Sequence, residues 1–409
     1  RQIISLAKRE ESIYGCNPEL SAQKLPDTLQ INENGRPAVK MGARFSFRPS
    51  VMRPLAAIVD LSAIAHNYAA AKRCAPGRQA FAVVKANAYG HGVREVVTAL
   101  HDVADGFAVA CLEEAAEVRA MHGQARILLL EGCFEASEYA IAAQLGLDVV
   151  LRSAAQAEAL LASELVRPLN VWLKLDSGMH RLGFDAASLR QWHARLEDAE
   201  QFAELNLLSH FACADERGHP LTELQVERFL DLLDLDFNHR SLANSAAILT
   251  IPAAHMDWLR PGIMLYGATP FAELSARELG LKPAMTLAAR VIAVREVAAG
   301  ESVGYGATWV AERPSRIATV SCGYADGYPR HAPSGTPVLV EGQRAVLAGR
   351  VSMDMLAVDI TDLPEADIDS PVELWGSQLP VDEVATACGT IGYELLTKVT
   401  ARVPRRYIG

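Results

Sequence analysis

Residues 80–92 read Ala80-Phe81-Ala82-Val83-Val84-Lys85-Ala86-Asn87-Ala88-Tyr89-Gly90-His91-Gly92. Five apolar residues run without a break into a lysine, and an Asn/Gly-rich stretch follows. The first part reads as a strand buried on both faces and the second as a loop. Similar short apolar runs recur downstream at Gly106–Ala110, Arg126–Leu130, Leu147–Leu151, Leu169–Leu175, Leu205–Phe211, Arg240–Ala243 and Asp257–Arg260. Between them lie longer stretches of helical periodicity, such as Leu112–Met121 and Ser153–Leu165. Eight strands alternating with helices predict an α/β fold, a closed (β/α)8 TIM-like barrel.

The texture changes after about residue 282. Thr286–Val297, Arg316–Cys322, Thr336–Val340 and Ala345–Ala348 read as strands separated by Gly and Pro turns. The chain is therefore divided into a barrel at 52–281 and a mostly β C-terminal domain at 282–409. Residues 1–51 are polar and aperiodic, with Asn-Glu-Asn-Gly-Arg-Pro at 32–37 marking a turn. They are expected to be a dispensable leader, with Met52 as a candidate start.

Half of the 409 residues are hydrophobic and 22% are charged, which is the composition of a folded globular chain. The formal charge of −10 offers no basic footprint for nucleic acid or an anionic membrane surface. Seven scattered cysteines form no C-x-x-C pair, so neither a disulfide framework nor a metal site is expected, and a reducing cytoplasm fits. No apolar stretch approaches the roughly 20 residues of a membrane-spanning helix.

A (β/α)8 barrel carries its chemistry at the C-terminal ends of its strands, so the polar residues there are the ones to inspect. Lys85 ends the first strand. A desolvated lysine sheds its charge and becomes an amine nucleophile able to form a Schiff base with an aldehyde cofactor, although a strand-end lysine also snorkels readily to solvent. The fifth strand runs into Lys174 and a loop containing Arg181, whose guanidinium can fork onto a carboxylate. The sixth ends in His210, the seventh in Asn244-Ser245 and the eighth in Arg260-Pro261-Gly262-Ile263. Loops after strands 7 and 8 are the usual phosphate site of this fold, which suits Ser245, Gly262 and Ile263. The second domain adds tyrosines beside glycines, at Tyr305, Tyr324 and Tyr393.

This ordered set resembles the alanine racemase family over residues 53–409, and residues 82–92 are similar to the signature of its lysine for pyridoxal 5′-phosphate (PLP). The resemblance implies that Lys85 carries PLP and acts as one catalytic base, with Tyr305 as the base on the opposite face. It places Arg260 against the pyridine nitrogen. Tyr89, Ser245, Gly262, Ile263 and Tyr393 fall around the phosphate, with His210 and Asn244 as cofactor neighbours. Arg181 and the backbone of Met353 correspond to contacts with the substrate carboxylate, Asp354 to the rim of the site and Tyr324 to its entrance. Lys174 corresponds to a position often carbamylated in the family. Met179-His180 stands before Arg181 where a glycine is common. A homodimer follows, because in this family the second domain of one subunit completes the site of the other.

Racemisation breaks a Cα–H bond on one face and remakes it on the other, which calls for two groups that both give and take protons. Lys85 and Tyr305 suit this, the tyrosine needing nearby positive charge such as Arg181 to bring its pKa down from about 10. An arginine facing the ring nitrogen leaves that nitrogen unprotonated and mutes the ring as an electron sink. The expected activity is interconversion of L- and D-alanine, and the sequence is compatible both with supplying D-alanine as a peptidoglycan precursor and with degrading it. Alternatives are a broad-specificity racemase, a PLP-dependent decarboxylase of a basic amino acid, and a non-catalytic PLP carrier.

Overall fold

The computed structural model describes residues 53–409 except 198, together with the backbone of Gln30–Ile31 and Pro37–Ala38, which pair antiparallel. The leader Arg1–Met52 is a unit apart from Arg53–Gly409. The dispensability expected of the leader lies outside the described residues.

The chain enters through β1 (Leu55–Asp60) and α1 (Leu61–Cys74). Eight strands then follow: β2 (Gln79–Val83), β3 (Gly106–Val109), β4 (Arg126–Leu129), β5 (Asp148–Leu151), β6 (Leu169–Lys174), β7 (Phe202–Leu208), β8 (Arg240–Ser241) and β9 (Trp258–Leu259). The helices between them are α2 (Val93–Ala99), α3 (Leu112–Met121), α4 (Glu138–Leu145), α5 (Ala154–Leu161), α6 (Ala186–Leu196), α7 (Pro220–Leu230) and α8 (Ser245–Thr250). All eight strands are parallel neighbours in chain order, and β9 returns to pair with β2, Trp258 opposite Gln79. The last seam closes where the Arg260 N–H donates to the Ala243 carbonyl at 3.0 Å. The barrel expected from the recurring apolar runs is present, with strand ends shifted by at most three residues.

Bulky side chains and a polar floor fill the barrel interior. Phe81 stacks on Trp258 with ring centroids 3.9 Å apart and meets Trp172 edge-on. At the N-terminal ends, buried Asp148 accepts from Arg126 Nε and Trp172 Nε1, each at 2.8 Å, and Arg126 also pairs with Glu204. These residues seal one end, so the polar groups at the opposite end are the ones available to a ligand.

The second domain continues with β10 (Met285–Val297), β11 (Ser302–Val303), β12 (Trp309–Val310), β13 (Ser315–Val320), β14 (Pro337–Val340), β15 (Gln343–Leu347), β16 (Leu356–Asp359) and β17 (Pro371–Trp375), then α9 (Val381–Ala387), α10 (Gly392–Thr397) and β18 (Arg405–Ile408). Long β10 pairs with both ends of the run β13-β16-β15-β14-β17, so six strands close on themselves.

One boundary differs from the sequence reading. β1 lies at the start of the 52–281 segment but belongs to the second sheet, between β10 and β18. Its partners are more than 200 residues away, and an apolar run carries no mark of which distant strand it will join.

Candidate active site

Lys85 leaves β2 into a turn of unusual backbone. Ala86, Asn87, Ala88 and Tyr89 have φ of 53°, 54°, 52° and 52°, four consecutive non-glycine residues in the left-handed region. Such residues are unfavourable one by one and persist where the surroundings hold them. Here the Asn87 Oδ1 accepts the Val93 N–H at 2.8 Å, Glu114 accepts the Ala86 N–H at 2.7 Å, and Arg405 Nε donates to the Gly90 carbonyl at 2.7 Å. A side chain at Gly90 would begin 2.2 Å from the Leu396 carbonyl oxygen, so the second domain packs directly on this turn.

Around the same rim the end of β6 and the loops after β6, β7 and β9 bring Lys174, Arg181, His210 and Arg260 together. Arg260 is buried, with Nη1 bonded to Ser241 Oγ and Nη2 to the Ser209 and Leu242 carbonyls at 2.5 and 3.2 Å. Burial brings its pKa down to about 10. Lys174 is brought down to about 8 by burial, with Arg260 and Arg181 adding repulsion and Glu131 partly offsetting it. Burial holds His210 well below its usual value, helped by Arg260, Lys174, Arg181 and Lys85, so its imidazole is neutral. A small cavity of about 10 Å³, room for one water, lies between Lys174, Asp176, Arg181 and His210.

The loop carrying Arg181 is built locally. Asp176 Oδ1 accepts the N–H groups of Gly178 and His180 at 3.0 Å, and the Phe184 N–H donates to the Lys174 carbonyl at 2.8 Å. His180 sits at φ 54°, so the Met179-His180 pair is accommodated with a left-handed residue just before the arginine.

Asn244 caps α8 by accepting the Ala247 N–H at 3.1 Å, and the Ser245 hydroxyl accepts the Gly262 N–H at 2.9 Å. The N–H of buried Ile263 has no partner among the described residues. Nor have the hydroxyls of Tyr89 and Tyr393, whose rings lie 6.0 Å apart, Tyr89 also stacking on Tyr266 at 4.8 Å. Burial pushes the Tyr89 hydroxyl up to about 12 and Tyr393 higher still, so both stay protonated donors.

Tyr305, Tyr324, Met353 and Asp354 stand apart from this cluster. They are carried by loops of the second domain, and no hydrogen bond joins them to the rim among the described residues. Tyr305 is 66% exposed and Met353 52% exposed. The loops of Tyr324 and Met353 are fixed to each other: the Tyr324 N–H donates to the Ser352 carbonyl at 3.0 Å, and buried Asp326 holds Arg53 by two bonds of 2.6 Å.

Sequence reasoning missed several supporting groups. Buried Gln225 donates to Ser177 Oγ and the His210 carbonyl, each at 3.0 Å, tying the Arg181 loop to the end of β7. Ser209 and Ser241 fix Arg260. Glu114 alone had a sequence signal, a glutamate three residues after the Cys111 that precedes a helical run.

Lys174, Arg181, Arg260 and the side chain of Lys85 face one another at this rim, and Ser245, Gly262 and Ile263 lie together beside the ends of β8 and β9. Residues 59–270 match the family described as alanine racemase, N-terminal domain, and residues 284–407 the corresponding C-terminal domain. The biosynthetic alanine racemase of Pseudomonas aeruginosa is 79% identical over 356 residues, 87% of this chain and 99% of that protein. The catabolic alanine racemase of Pseudomonas putida is 51% identical over 358 residues, 88% of this chain and all of its own length. The crystal structure of the Pseudomonas aeruginosa enzyme superimposes with a TM-score of 0.87 over 88% of this chain and all of that one. That of alanine racemase from Bartonella henselae with covalently bound pyridoxal phosphate, 32% identical, gives 0.80 over 87% of this chain and all of that one. With both domains matched and four-fifths of the aligned residues shared with one relative, the chain belongs to the alanine racemase family.

Proposed function

We propose that this protein interconverts L- and D-alanine by proton transfer on opposite faces of Cα, with PLP held at Lys85 and each site of a homodimer completed by the partner. The observation that carries the reading is the set of donors left without partners at the rim: the Lys85 amine, the Ile263 N–H, and the Tyr89 and Tyr393 hydroxyls. A phosphorylated aldehyde fits such a set, and Gly262 leaves the approach open. When bound, PLP supplies an electrophilic carbon for an amine and a conjugated ring that withdraws charge from Cα.

The residues divide the remaining work. Ser245, Ile263, Tyr89 and Tyr393 hold the phosphate, with Asn244 setting the start of α8 behind them. Arg260, fixed by Ser209 and Ser241, is the residue that would meet the ring nitrogen, and as a group that does not give up its proton it would leave that nitrogen unprotonated and disfavour protonation anywhere but Cα. Neutral His210 packs beside it. Arg181 forks onto the substrate carboxylate, aided by the backbone of Met353. Lys174, near pH 8 already losing its proton, is suited to adding carbon dioxide at Nζ with release of a proton, giving a carboxylate that faces Arg181. Lys85 moves the proton on one face and Tyr305 of the second subunit on the other, with Tyr324 and Asp354 at the entrance. The exposure of Tyr305 and Met353 in the single chain suits groups that a second copy covers.

The relative sharing 79% identity is named biosynthetic and the catabolic one shares 51%, which favours a role in supplying D-alanine for peptidoglycan. Among the described residues no helix is long and apolar enough to cross a membrane. The six described cysteines are unpaired, which suits the cytoplasm.

The test is to incubate the purified protein with PLP and L-alanine in deuterated water, following D-alanine by chiral separation and Cα deuterium by NMR. Both are expected together. Neither appearing, with PLP demonstrably bound, overturns the racemase reading in favour of a carrier or a decarboxylase of a basic amino acid.

A further inference from the structure

Glu114 stands in the first turn of α3, and its two carboxylate oxygens serve different elements. Oε2 accepts the N–H of Ala110, just beyond β3, at 2.9 Å, while Oε1 accepts the N–H of Ala86 at 2.7 Å. The first bond is local, reaching back to the residue that precedes Cys111, the N-cap of α3. The second crosses to the neighbouring β-α unit and meets the residue that directly follows Lys85. Among the described residues, no other side chain bonds the backbone of Lys85 or Ala86.

Ala86 opens the run of four left-handed residues, and alanine has no intrinsic reason to adopt φ of 53°. The other restraints act further along: Asn87 on Val93, Arg405 on the Gly90 carbonyl, Leu396 against Gly90. At the lysine end the change from extended strand to left-handed turn happens within two residues, and the direction of the Lys85 side chain follows from where it happens. We infer that Glu114 is a positioning residue, its bond to the Ala86 N–H setting the path by which Lys85 leaves β2 and so aiming Nζ. This rests on the reading that Lys85 carries PLP.

Two substitutions separate the local role at the start of α3 from the positioning role. Glu114→Ala removes both bonds. Glu114→Asp keeps the negative charge at the start of α3 but is one methylene shorter, so it falls short of Ala86 in the next unit. Each variant is titrated with PLP, reduced with borohydride, and digested to measure labelling of the Lys85 peptide by mass spectrometry. Thermal melting and kcat and KM for alanine are recorded on the same preparations. If Glu114 aims Lys85, Glu114→Asp resembles Glu114→Ala, with labelling at limiting PLP and kcat both falling about tenfold or more and KM little changed. If Glu114→Asp binds PLP, labels and turns over as the wild type does, Glu114 serves only the start of α3 and the inference is overturned. Because Glu114→Asp retains a carboxylate in the first turn of α3, the comparison survives even if the alanine variant fails to fold. Labelling of wild-type protein at a lysine other than Lys85 overturns the underlying reading instead, independently of either Glu114 variant.

Discussion

The hydroxyl of Tyr89 lies 2.8 Å from the point where a side chain at Gly262 would begin. The two residues come from opposite ends of the barrel sequence, one after β2 and one after β9, and they meet because β9 closes the barrel onto β2. Tyr89 cannot easily yield, since its ring is stacked on Tyr266. Gly262→Ala is therefore expected to displace the hydroxyl from the phosphate and weaken PLP by about tenfold, equivalent to roughly 1.4 kcal/mol. Pyridoxal without its phosphate should lose much less. Equal losses for the two ligands in parallel titrations would show that Tyr89 does not serve the phosphate.

Tyr305→Phe removes a single hydroxyl from an exposed loop and leaves the barrel untouched. PLP should remain bound, while racemisation falls by about 10² to 10⁴. Deuterium exchange should persist from one alanine enantiomer and be lost from the other. Full activity from both enantiomers would exclude Tyr305 as the second base.

Lys174 links stability to pH in a definite direction. Burial lowers its pKa to about 8 in the folded chain, below the unfolded value of about 10.4. Below pH 8 both states carry the proton, so the penalty for burying the charge is fully present. Between pH 8 and about 10.4 the unfolded chain binds more protons, and the penalty is relieved as pH rises. In bicarbonate-free buffer, Lys174→Met should be more stable than the wild type by roughly 2–3 kcal/mol at pH 7, the gap narrowing toward pH 10. A gap independent of pH in denaturant titrations would contradict the assignment.

The polar floor of the barrel predicts the opposite separation, stability without activity. Asp148→Ala strands Arg126 and the Trp172 indole N–H in a buried setting, with only Glu204 left to compensate. A loss of about 3 kcal/mol is expected, with kcat unchanged at temperatures where the variant is folded. A stable variant with impaired turnover would mean that the floor communicates with the catalytic rim.

The legible parts of this chain were those whose signal is local. Barrel strands such as Ala80–Val84 are apolar throughout because both faces are covered, and Lys85, His210 and Arg260 stand out because a polar residue ends each run. The second sheet was harder to read: Leu356–Asp359 is four residues long, Pro371–Trp375 opens on a proline, and Arg405–Ile408 carries two arginines. Gln225 and Ser209 look like any polar residues of a helix or strand end, since only the closed barrel decides which backbone groups they meet. The left-handed run at Ala86–Tyr89 contradicts alanine's usual helical preference, and the restraints that impose it come from Glu114 and Arg405, remote in sequence.

The placement of β1 also bears on how the protein is made. The first strand of the unit Arg53–Gly409 and its last, Arg405–Ile408, lie side by side in one sheet, with Arg405 opposite Ala57. On a ribosome the barrel strands emerge and close while β1 still waits for β10, and β18 arrives only with the final residues. The second domain is thus assembled from both ends of the synthesised chain. A fragment starting at residue 282 would lack the strand that joins β10 to β18, and because β18 runs parallel to β1, residue 409 ends beside Asp60 and not beside residue 53, so a linker rejoining the two ends would have to run back along the whole of β1.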